Sequence, residues 1–302
     1  MRHLSAGVLL TWGLACWAGT PRVLPPPAVA VAVDPVTGHL VAIEGVAGRL
    51  NVGQRVWDRP VEAAWPAASR AIVRSAEGWQ LLEWNEDLSV SRTVDLGEQD
   101  WVAPVWNSRG TAWLACGESA EVCGIYSAET GKQMREIRST AGLRALSLSD
   151  SGVEALLRQE NRAVLWTESE GLVLVMEGAG LGGAFSADGA RLAAVNDAGA
   201  LVLMDVRTAS STQVETPAEA AGLVWMGDLL VTVHRSGEIR RWDALGGLVS
   251  AAHCECQPAG AWPAGSGMVR LHESLKRMSH YLDFGRGEAA FTILPASVSE
   301  VQ

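Results

Sequence analysis

The residues best suited to chemistry by type and spacing are His253, Cys254 and Cys256, which fall within four consecutive positions. Histidine and cysteine are both zinc ligands, so a metal site is one interpretation of this cluster. A structural zinc site takes four ligands in two separated pairs, and the sequence offers no second pair. We therefore favour the alternative, in which Cys254 and Cys256 form a local disulfide or remain two free thiols in a loop.

A second cysteine pair, Cys116 and Cys123, flanks a predicted turn. The segments on either side, 111–115 and 124–127, have the short apolar composition of β-strands. Two cysteines that face each other across a hairpin come closest at a non-hydrogen-bonded position, where a disulfide can form. The spacing therefore predicts a Cys116–Cys123 disulfide, which would suit an oxidising compartment.

The sequence patterns of common catalytic sites lack their structural setting here. The glycine-rich run Gly178–Gly183 joins two predicted strands and opens no helix, so it offers no helix N-terminus to a phosphate. His272 and His280, with Glu273 and Asp283 nearby, are the remaining acid–base or metal candidates. Two solvated hairpin histidines are the simpler interpretation. We predict no catalytic residue, no cofactor and no metal site.

Tryptophan is unusually frequent in this chain, with 13 Trp against 3 Phe and 2 Tyr. Most of these rings recur at repeat positions and are expected to be core residues. Trp79 and Trp101 are exceptions, because each follows polar residues in a predicted turn or loop. An exposed tryptophan stacks on sugars or anchors a protein partner, so Trp79 and Trp101 are the candidate binding surface.

The N-terminal segment 1–18 has the features of a secretory signal peptide: a short basic start, an apolar run and small residues at its end. The run is shorter than the roughly 20 residues that a membrane-spanning helix needs. We predict a signal peptide at 1–18, a proline-rich linker at 19–28, and export to the periplasm or the extracellular space, with no transmembrane span in the mature chain. A buried N-terminal helix is the alternative, and a lipid anchor at Cys16 is a less favoured form of export.

The charge of the chain restricts the class of partner. The 24 basic and 34 acidic residues give a formal charge of −10. Nucleic acid is therefore excluded as the main partner, because phosphate binding needs a basic surface. A protein or a component of the cell envelope is expected instead. The apolar content of 48% is sufficient for a large core.

Internal repetition with a period near 40 residues organises the rest of the sequence. Each repeat contains short apolar segments separated by turns that often contain glycine, as in consecutive β-hairpins. An apolar residue recurs near the end of the first segment: Val33, Trp65, Trp106, Leu148, Phe185, Trp225 and Trp262. A second position recurs in the third segment, 17 to 20 residues later: Val52, Trp84, Tyr126, Trp166, Met204, Trp242 and Tyr281.

A repeat of this length with four short strands is the signature of a β-propeller blade. Stacked blades bury both faces of most strands, which explains continuously apolar segments such as 201–204 and 229–233. The sequence therefore predicts an all-β fold, a seven-bladed β-propeller over 29–302. The first repeat is short, so its outer strand near 54–57 is expected to be brief. A pair of β-sandwiches and a β-helix are alternatives, but neither has this period.

Two motifs link the repeats to a known family. Arg241-Trp242-Asp243 matches the Trp-Asp ending of a WD40 repeat, and Ser186–Gly189 matches its first hairpin turn. On these residues the chain, over about 28–294, resembles bacterial WD40-like and YVTN-type propeller repeats. The Gly-His dipeptide that precedes the first strand of a WD40 repeat is missing from most repeats. The family's Asp-His-Ser/Thr-Trp hydrogen-bond set is therefore not expected, which weakens any transfer of its signalling roles.

Two functional hypotheses follow from these observations. The first is an exported, non-enzymatic β-propeller that serves as a protein-interaction or ligand-binding scaffold. The second is a propeller enzyme, such as a lactonase-like hydrolase or a quinone-dependent oxidoreductase, with its site at the central axis. Such an enzyme takes polar ligands from equivalent inner positions of several blades, and the repeats show no recurrence of that kind. We therefore prefer the first hypothesis, although propeller folds host both roles.

Overall fold

The structure, a computed structural model, describes residues 28–294 apart from 35–36, 47–48, 181, 259, 264–267, 272–278 and 284–289. The predicted signal peptide, the linker up to residue 27, Cys16 and His272 lie outside the described residues. The side chain of His280 also lies outside them.

All regular structure in the described residues is β-strand, and the strands form seven antiparallel sheets. Sheet 1 has three strands and sheets 2 to 7 have four each, hydrogen-bonded in chain order. Sheets 1 and 2 contain β1 (Ala28–Val33), β2 (Leu40–Val46), β3 (Arg49–Trp57), β4 (Ala63–Ala67), β5 (Arg70–Ser75), β6 (Gly78–Trp84) and β7 (Val90–Gly97). Sheets 3 and 4 contain β8 (Trp101–Trp106), β9 (Ala112–Gly117), β10 (Val122–Ser127), β11 (Gln133–Arg138), β12 (Leu143–Leu148), β13 (Ala155–Gln159), β14 (Arg162–Thr167) and β15 (Gly171–Glu177).

The remaining strands make up sheets 5 to 7. They are β16 (Gly182–Phe185), β17 (Arg191–Val195), β18 (Ala200–Asp205), β19 (Ser211–Glu215), β20 (Ala220–Met226), β21 (Leu229–His234), β22 (Glu238–Trp242), β23 (Leu248–His253), β24 (Trp262–Pro263), β25 (Met268–Arg270), β26 (Ser279–Asp283) and β27 (Ala290–Leu294). Among the described residues, no helix is long and apolar enough to span a membrane.

The position of a strand within its sheet explains its composition. The second and third strands of a sheet are covered by a neighbouring sheet on each face, so the side chains on both faces are buried. In β9, for example, all six residues are buried. The outer strands β7 and β11 instead carry alternating or mostly exposed side chains. The two-sided burial predicted for 201–204 and 229–233 is therefore confirmed in β18 and β21.

Antiparallel pairing places the turns of each sheet at two ends. The turns after the first and third strands lie at one end, which we call the first-turn end. The turn after the second strand and the loop after the fourth lie at the opposite, second-turn end. Successive sheets touch through their first strands, from β1 and β4 onward to β24, and β27 of sheet 7 lies against β3 of sheet 1. The series of sheets thus returns to its beginning.

The repeat positions found in the sequence occupy the expected strands. The first position lies in the first strand of each sheet and the second position in the third strand. Residues 54–57 end β3, an edge strand of sheet 1, so an outer strand lies where the sequence predicts it, but with nine residues it is not brief. Sheet 1 has one strand fewer than the other sheets among the described residues, which accounts for the short spacing to the second repeat.

The hydrophobic core is divided among the junctions between successive sheets. One buried cluster joins sheets 3 and 4 around Leu114, Ile137 and Leu157. Another joins sheets 5 and 6 around Leu203 and Trp225. The junction between sheets 2 and 3 differs from these because most of its large side chains are aromatic.

Candidate functional site

Trp79 and Trp101, the predicted binding surface, are buried. Only 3% of Trp79 and 5% of Trp101 is exposed. The sequence places them in a turn and a loop, whereas Trp79 lies in β6 and Trp101 begins β8. The Trp79 indole N–H donates to the backbone carbonyl of Gln99 at 2.9 Å, which fixes the ring inward. The predicted exposed surface is therefore wrong, because each ring is covered by the neighbouring sheet.

These two rings belong to an aromatic cluster between sheets 2 and 3, made of Trp65, Trp79, Trp101, Trp106, Trp113 and Tyr126. Trp113 stacks on Tyr126 with ring centroids 5.4 Å apart, and Trp101 meets Tyr126 edge-on at 4.8 Å. The Trp106 indole N–H donates to the Trp65 carbonyl at 2.7 Å and so bridges the two sheets. Offset and edge-on ring pairs are stabilising beyond their buried area. Part of the tryptophan excess thus serves the packing of one junction.

A disulfide joins Cys116 on β9 to Cys123 on β10. The two residues lie directly opposite in the strand register, with Cα atoms 3.9 Å apart, and both are fully buried. They face sheet 4, whereas Trp113 on the same strand faces sheet 2, since successive side chains alternate. The disulfide therefore crosses the middle of sheet 3 on the face opposite the aromatic cluster.

Cys254 and Cys256 are joined by a second disulfide, in the loop that follows β23. Cys254 is buried and Cys256 is partly exposed, while His253 and Glu255 are exposed. Of the two alternatives raised by the sequence, the structure contains the local disulfide. No group of three or more His, Cys, Asp or Glu that could hold a metal ion occurs among the described residues.

The structure contains a buried hydrogen-bond network in sheet 6 that the sequence analysis missed. The Trp242 indole N–H donates to the Thr232 hydroxyl at 3.0 Å. His234 Nε2 lies 3.1 Å from the hydroxyl oxygens of both Thr232 and Thr216. This sheet therefore joins a tryptophan, a threonine and a histidine, three residue types of the WD40 set, but the histidine comes from the second strand instead of a Gly-His dipeptide. Its further partner is Thr216 and not an aspartate. The signal in the sequence was the Thr-x-His pattern shortly before Trp242.

The burial of His234 predicts acid sensitivity. Burial lowers the pKa of His234 below its usual range and outweighs the opposing effects of its polar and charged surroundings. The unfolded chain therefore binds this proton more readily, and its contribution to stability is full above about pH 6.5 and is lost as the pH falls below that value. Chemical denaturation between pH 7 and pH 5 should show a loss of stability with acidification that His234→Gln reduces. Equal pH dependence in both proteins would contradict the assignment.

A cleft of about 580 Å³ lies between sheets 1 and 2. Its walls are the end of β3 with the residues after it, from Gln54 to Arg59, and the turn that leads into β7, from Asp87 to Val90. Gln54 connects the walls, because its side-chain amide donates to the Asp87 carbonyl at 2.8 Å. The cleft is therefore built by two consecutive repeats together.

Part of the cleft lining is apolar and aromatic. Trp57 and Leu88, both partly buried, pack against the core cluster that joins sheets 1 and 2. The Trp57 indole nitrogen is buried and has no hydrogen-bond partner among the described residues. The Arg59 guanidinium lies 5.5 Å from the Trp57 ring centroid, at cation–π distance. The ring is thus held in place by its packing and by Arg59, and its buried N–H is not accessible to a partner.

The rim of the cleft carries both acidic and basic side chains. The Ser89 hydroxyl and N–H donate to the Asp87 carboxylate, which holds the pKa of Asp87 below its usual range and keeps it ionised. Arg59 pairs with Glu77 at 2.5 Å, but both side chains are more than half exposed, so this pair adds little stability. Arg55 is exposed and forms no ion pair with a described residue. Arg55 is therefore a charge that a partner can neutralise.

A second feature of the surface is the outer strand of sheet 6. Leu248 and Val249 on β23 are 53% and 50% exposed, and Leu245 in the turn before it is 82% exposed. No charged residue lies in β23. An uncharged apolar edge strand is a place where other chains can pair, so this edge is an alternative contact surface.

Comparisons with known proteins detect the fold and no family. No family model matches the chain, and no curated protein matches it. Among solved structures, a chain of a mitotic checkpoint complex matches with a TM-score of 0.60 and 15% identity, over 99% of this chain and 90% of that one. The β-propeller domain of Myceliophteria thermophila Cps50 (Swd1) matches with a TM-score of 0.57 and 14% identity, over 78% and 88%. Hsv2 of Kluyveromyces lactis matches with a TM-score of 0.53 and 14% identity, over 71% of each chain.

These solved structures are WD40 β-propellers, so the chain has a WD40-like β-propeller fold. The predicted resemblance to WD40-like repeats is confirmed at this level. At 14% to 15% identity the similarity concerns the fold alone. The YVTN-type and bacterial part of the resemblance stays a prediction.

Proposed function

We propose that this protein is an exported, seven-bladed WD40-like β-propeller that acts by binding a protein partner and not by catalysis. The sevenfold repeat and the contact of β27 with β3 support seven blades. The signal-like segment 1–18 supports export. Proteins with a WD40-like fold serve as protein-interaction scaffolds, which supports binding as the activity. The YVTN-type resemblance of the repeats supports a bacterial envelope as the setting.

The observation that carries this proposal is the composition of the cleft between sheets 1 and 2. Tryptophan and arginine are the residues that most often dominate the binding energy of protein interfaces. Trp57 offers a partly exposed aromatic ring, and Arg55 offers an exposed charge that forms no ion pair with a described residue. We infer that the cleft receives one apolar anchor side chain of the partner over Trp57 and a neighbouring carboxylate at Arg55.

The test is a quantitative capture of envelope proteins by the full-length chain and by variants. Trp57→Ala and Arg55→Glu should each reduce the recovery of the partner about tenfold or more, because both are predicted to be central contacts. Arg138→Glu is a matched control, since Arg138 is an exposed arginine on the outer strand β11 of another sheet. The purified partner is then titrated against the same variants to measure the dissociation constant.

Two outcomes would contradict the placement of the binding site in the cleft. One is equal capture by the wild type, Trp57→Ala and Arg55→Glu. The other is loss of capture with Leu248→Lys alone, which would assign binding to the apolar edge of sheet 6.

Export is tested separately by mass spectrometry of the N-terminus of the native protein. A chain that starts after residue 18 supports export by a cleaved signal, and an intact Met1 contradicts it.

A further inference from the structure

The two disulfides differ in the size of the ring that each closes. Cys116 and Cys123 are seven positions apart, and Cys254 and Cys256 are two positions apart. A disulfide that closes a shorter loop removes less entropy from the unfolded chain, so it contributes less to the stability of the oxidised protein. Opening of Cys254–Cys256 therefore lowers the stability of the fold less than opening of Cys116–Cys123.

The two disulfides also differ in access. Cys116 and Cys123 are completely buried in the middle of sheet 3, so a thiol reaches their sulfurs only if the sheet opens. Cys256 is partly exposed and lies between exposed neighbours in a loop at the second-turn end. Thiol–disulfide exchange needs direct approach of a thiolate to one sulfur. Cys256 is therefore the accessible member of its pair, and Cys254, which is 5% exposed, is the shielded member.

The loop around Cys254 and Cys256 is tied closely to the rest of sheet 6. The Cys254 N–H donates to the Gly237 carbonyl at 2.9 Å. Gly237 has a φ of +87°, and a Cβ at this position would lie 2.3 Å from the Cys254 carbonyl oxygen. Both cysteines also contact the core cluster shared by sheets 6 and 7, which includes Val269 and Leu282. The backbone thus holds the two cysteines near each other when the disulfide is open, which favours their reoxidation.

We propose that Cys254–Cys256 is a thiol–disulfide exchange site that reacts with an external dithiol. One thiolate of the dithiol attacks Cys256 Sγ, the bond between the two cysteine sulfurs breaks, and the electron pair leaves on Cys254 Sγ, which takes a proton from water. The second thiolate then attacks the dithiol's own sulfur in the mixed disulfide and releases Cys256 as a thiolate. Two electrons pass to the protein, and the dithiol becomes a cyclic disulfide.

The first test measures the rate at which excess reduced dithiothreitol opens each disulfide of the native full-length protein, followed by alkylation and peptide mass spectrometry. Cys254–Cys256 is expected to be reduced at least tenfold faster than Cys116–Cys123, because a thiolate reaches Cys256 without opening of a sheet. Reduction of both pairs at the same rate, or of Cys116–Cys123 first, would overturn the proposal.

The second test identifies the sulfur that is attacked, with glutathione disulfide as the probe. Cys254→Ser leaves Cys256 without its resolving partner, so this variant should form a mixed disulfide with glutathione. Cys256→Ser leaves only the buried Cys254 and should react at least tenfold more slowly. Equal rates in the two variants, or no adduct in either, would overturn the assignment to Cys256. Because neither test uses the partner or the cleft, this proposal and the proposed binding function fail independently.

Discussion

Replacing Trp113 by alanine is expected to lower the free energy of unfolding by about 3–5 kcal/mol, the range for a fully buried tryptophan. Trp113 has no exposed surface and lies at the centre of the aromatic cluster. Its ring contacts Trp106 and Tyr126, each with centroids 5.4 Å away, and Trp101 at 6.1 Å. Alanine removes all three ring contacts and leaves a cavity between sheets 2 and 3.

Chemical denaturation followed by circular dichroism measures this loss, and Trp113→Phe is the control. The Trp113 indole nitrogen is buried without a hydrogen-bond partner among the described residues, so phenylalanine keeps a ring and removes an unsatisfied donor. We expect Trp113→Phe to be clearly more stable than Trp113→Ala. A loss below about 1 kcal/mol in Trp113→Ala would show that the cluster is not a principal stabilising contact between these sheets.

The repeat pattern made most of the fold predictable, because its signals are local. A turn and the apolar segments around it lie within a few residues, so the positions of Trp65, Trp84 and Tyr126 in first or third strands followed from spacing alone. The same local reasoning failed for Trp101. Its polar neighbours indicated a loop, but its burial depends on contacts with Trp79 and Trp113, and neither their distances nor their orientations are present in the local sequence.

The candidate sites were harder to predict for a related reason. The cleft combines Trp57 with Leu88, which belong to different repeats and meet only through the packing of sheets 1 and 2. The Thr232–His234 network was missed because its histidine lies in the second strand, where the family pattern has none. Pairs of residues within one hairpin, such as Cys116 and Cys123, can be predicted without knowing how the sheets pack, because strand register alone brings them together.

Replacing Thr232 by valine is expected to destabilise the protein by about 2–4 kcal/mol, through unsatisfied groups and not through lost volume. Valine has nearly the same shape, so packing changes little. The Thr232 hydroxyl, however, accepts the Trp242 indole N–H and contacts His234 Nε2, and all three side chains are buried. Its removal leaves the indole N–H with no partner in a site that water does not reach. His234 Nε2 then keeps its contact with Thr216.

A double-mutant cycle separates this effect from packing. Trp242→Phe removes the donor, so adding Thr232→Val to it should cost much less than Thr232→Val alone, because no indole N–H is then left unpaired. We expect a coupling energy of at least about 1 kcal/mol, measured by urea denaturation at pH 7.5, where His234 is neutral. Thr216→Val is the matched single control, since it removes a contact with His234 and leaves the Trp242 bond intact. Additive effects of the two substitutions would mean that the hydroxyl and the indole contribute independently to stability. The side chains of the network would then be neighbours without energetic coupling.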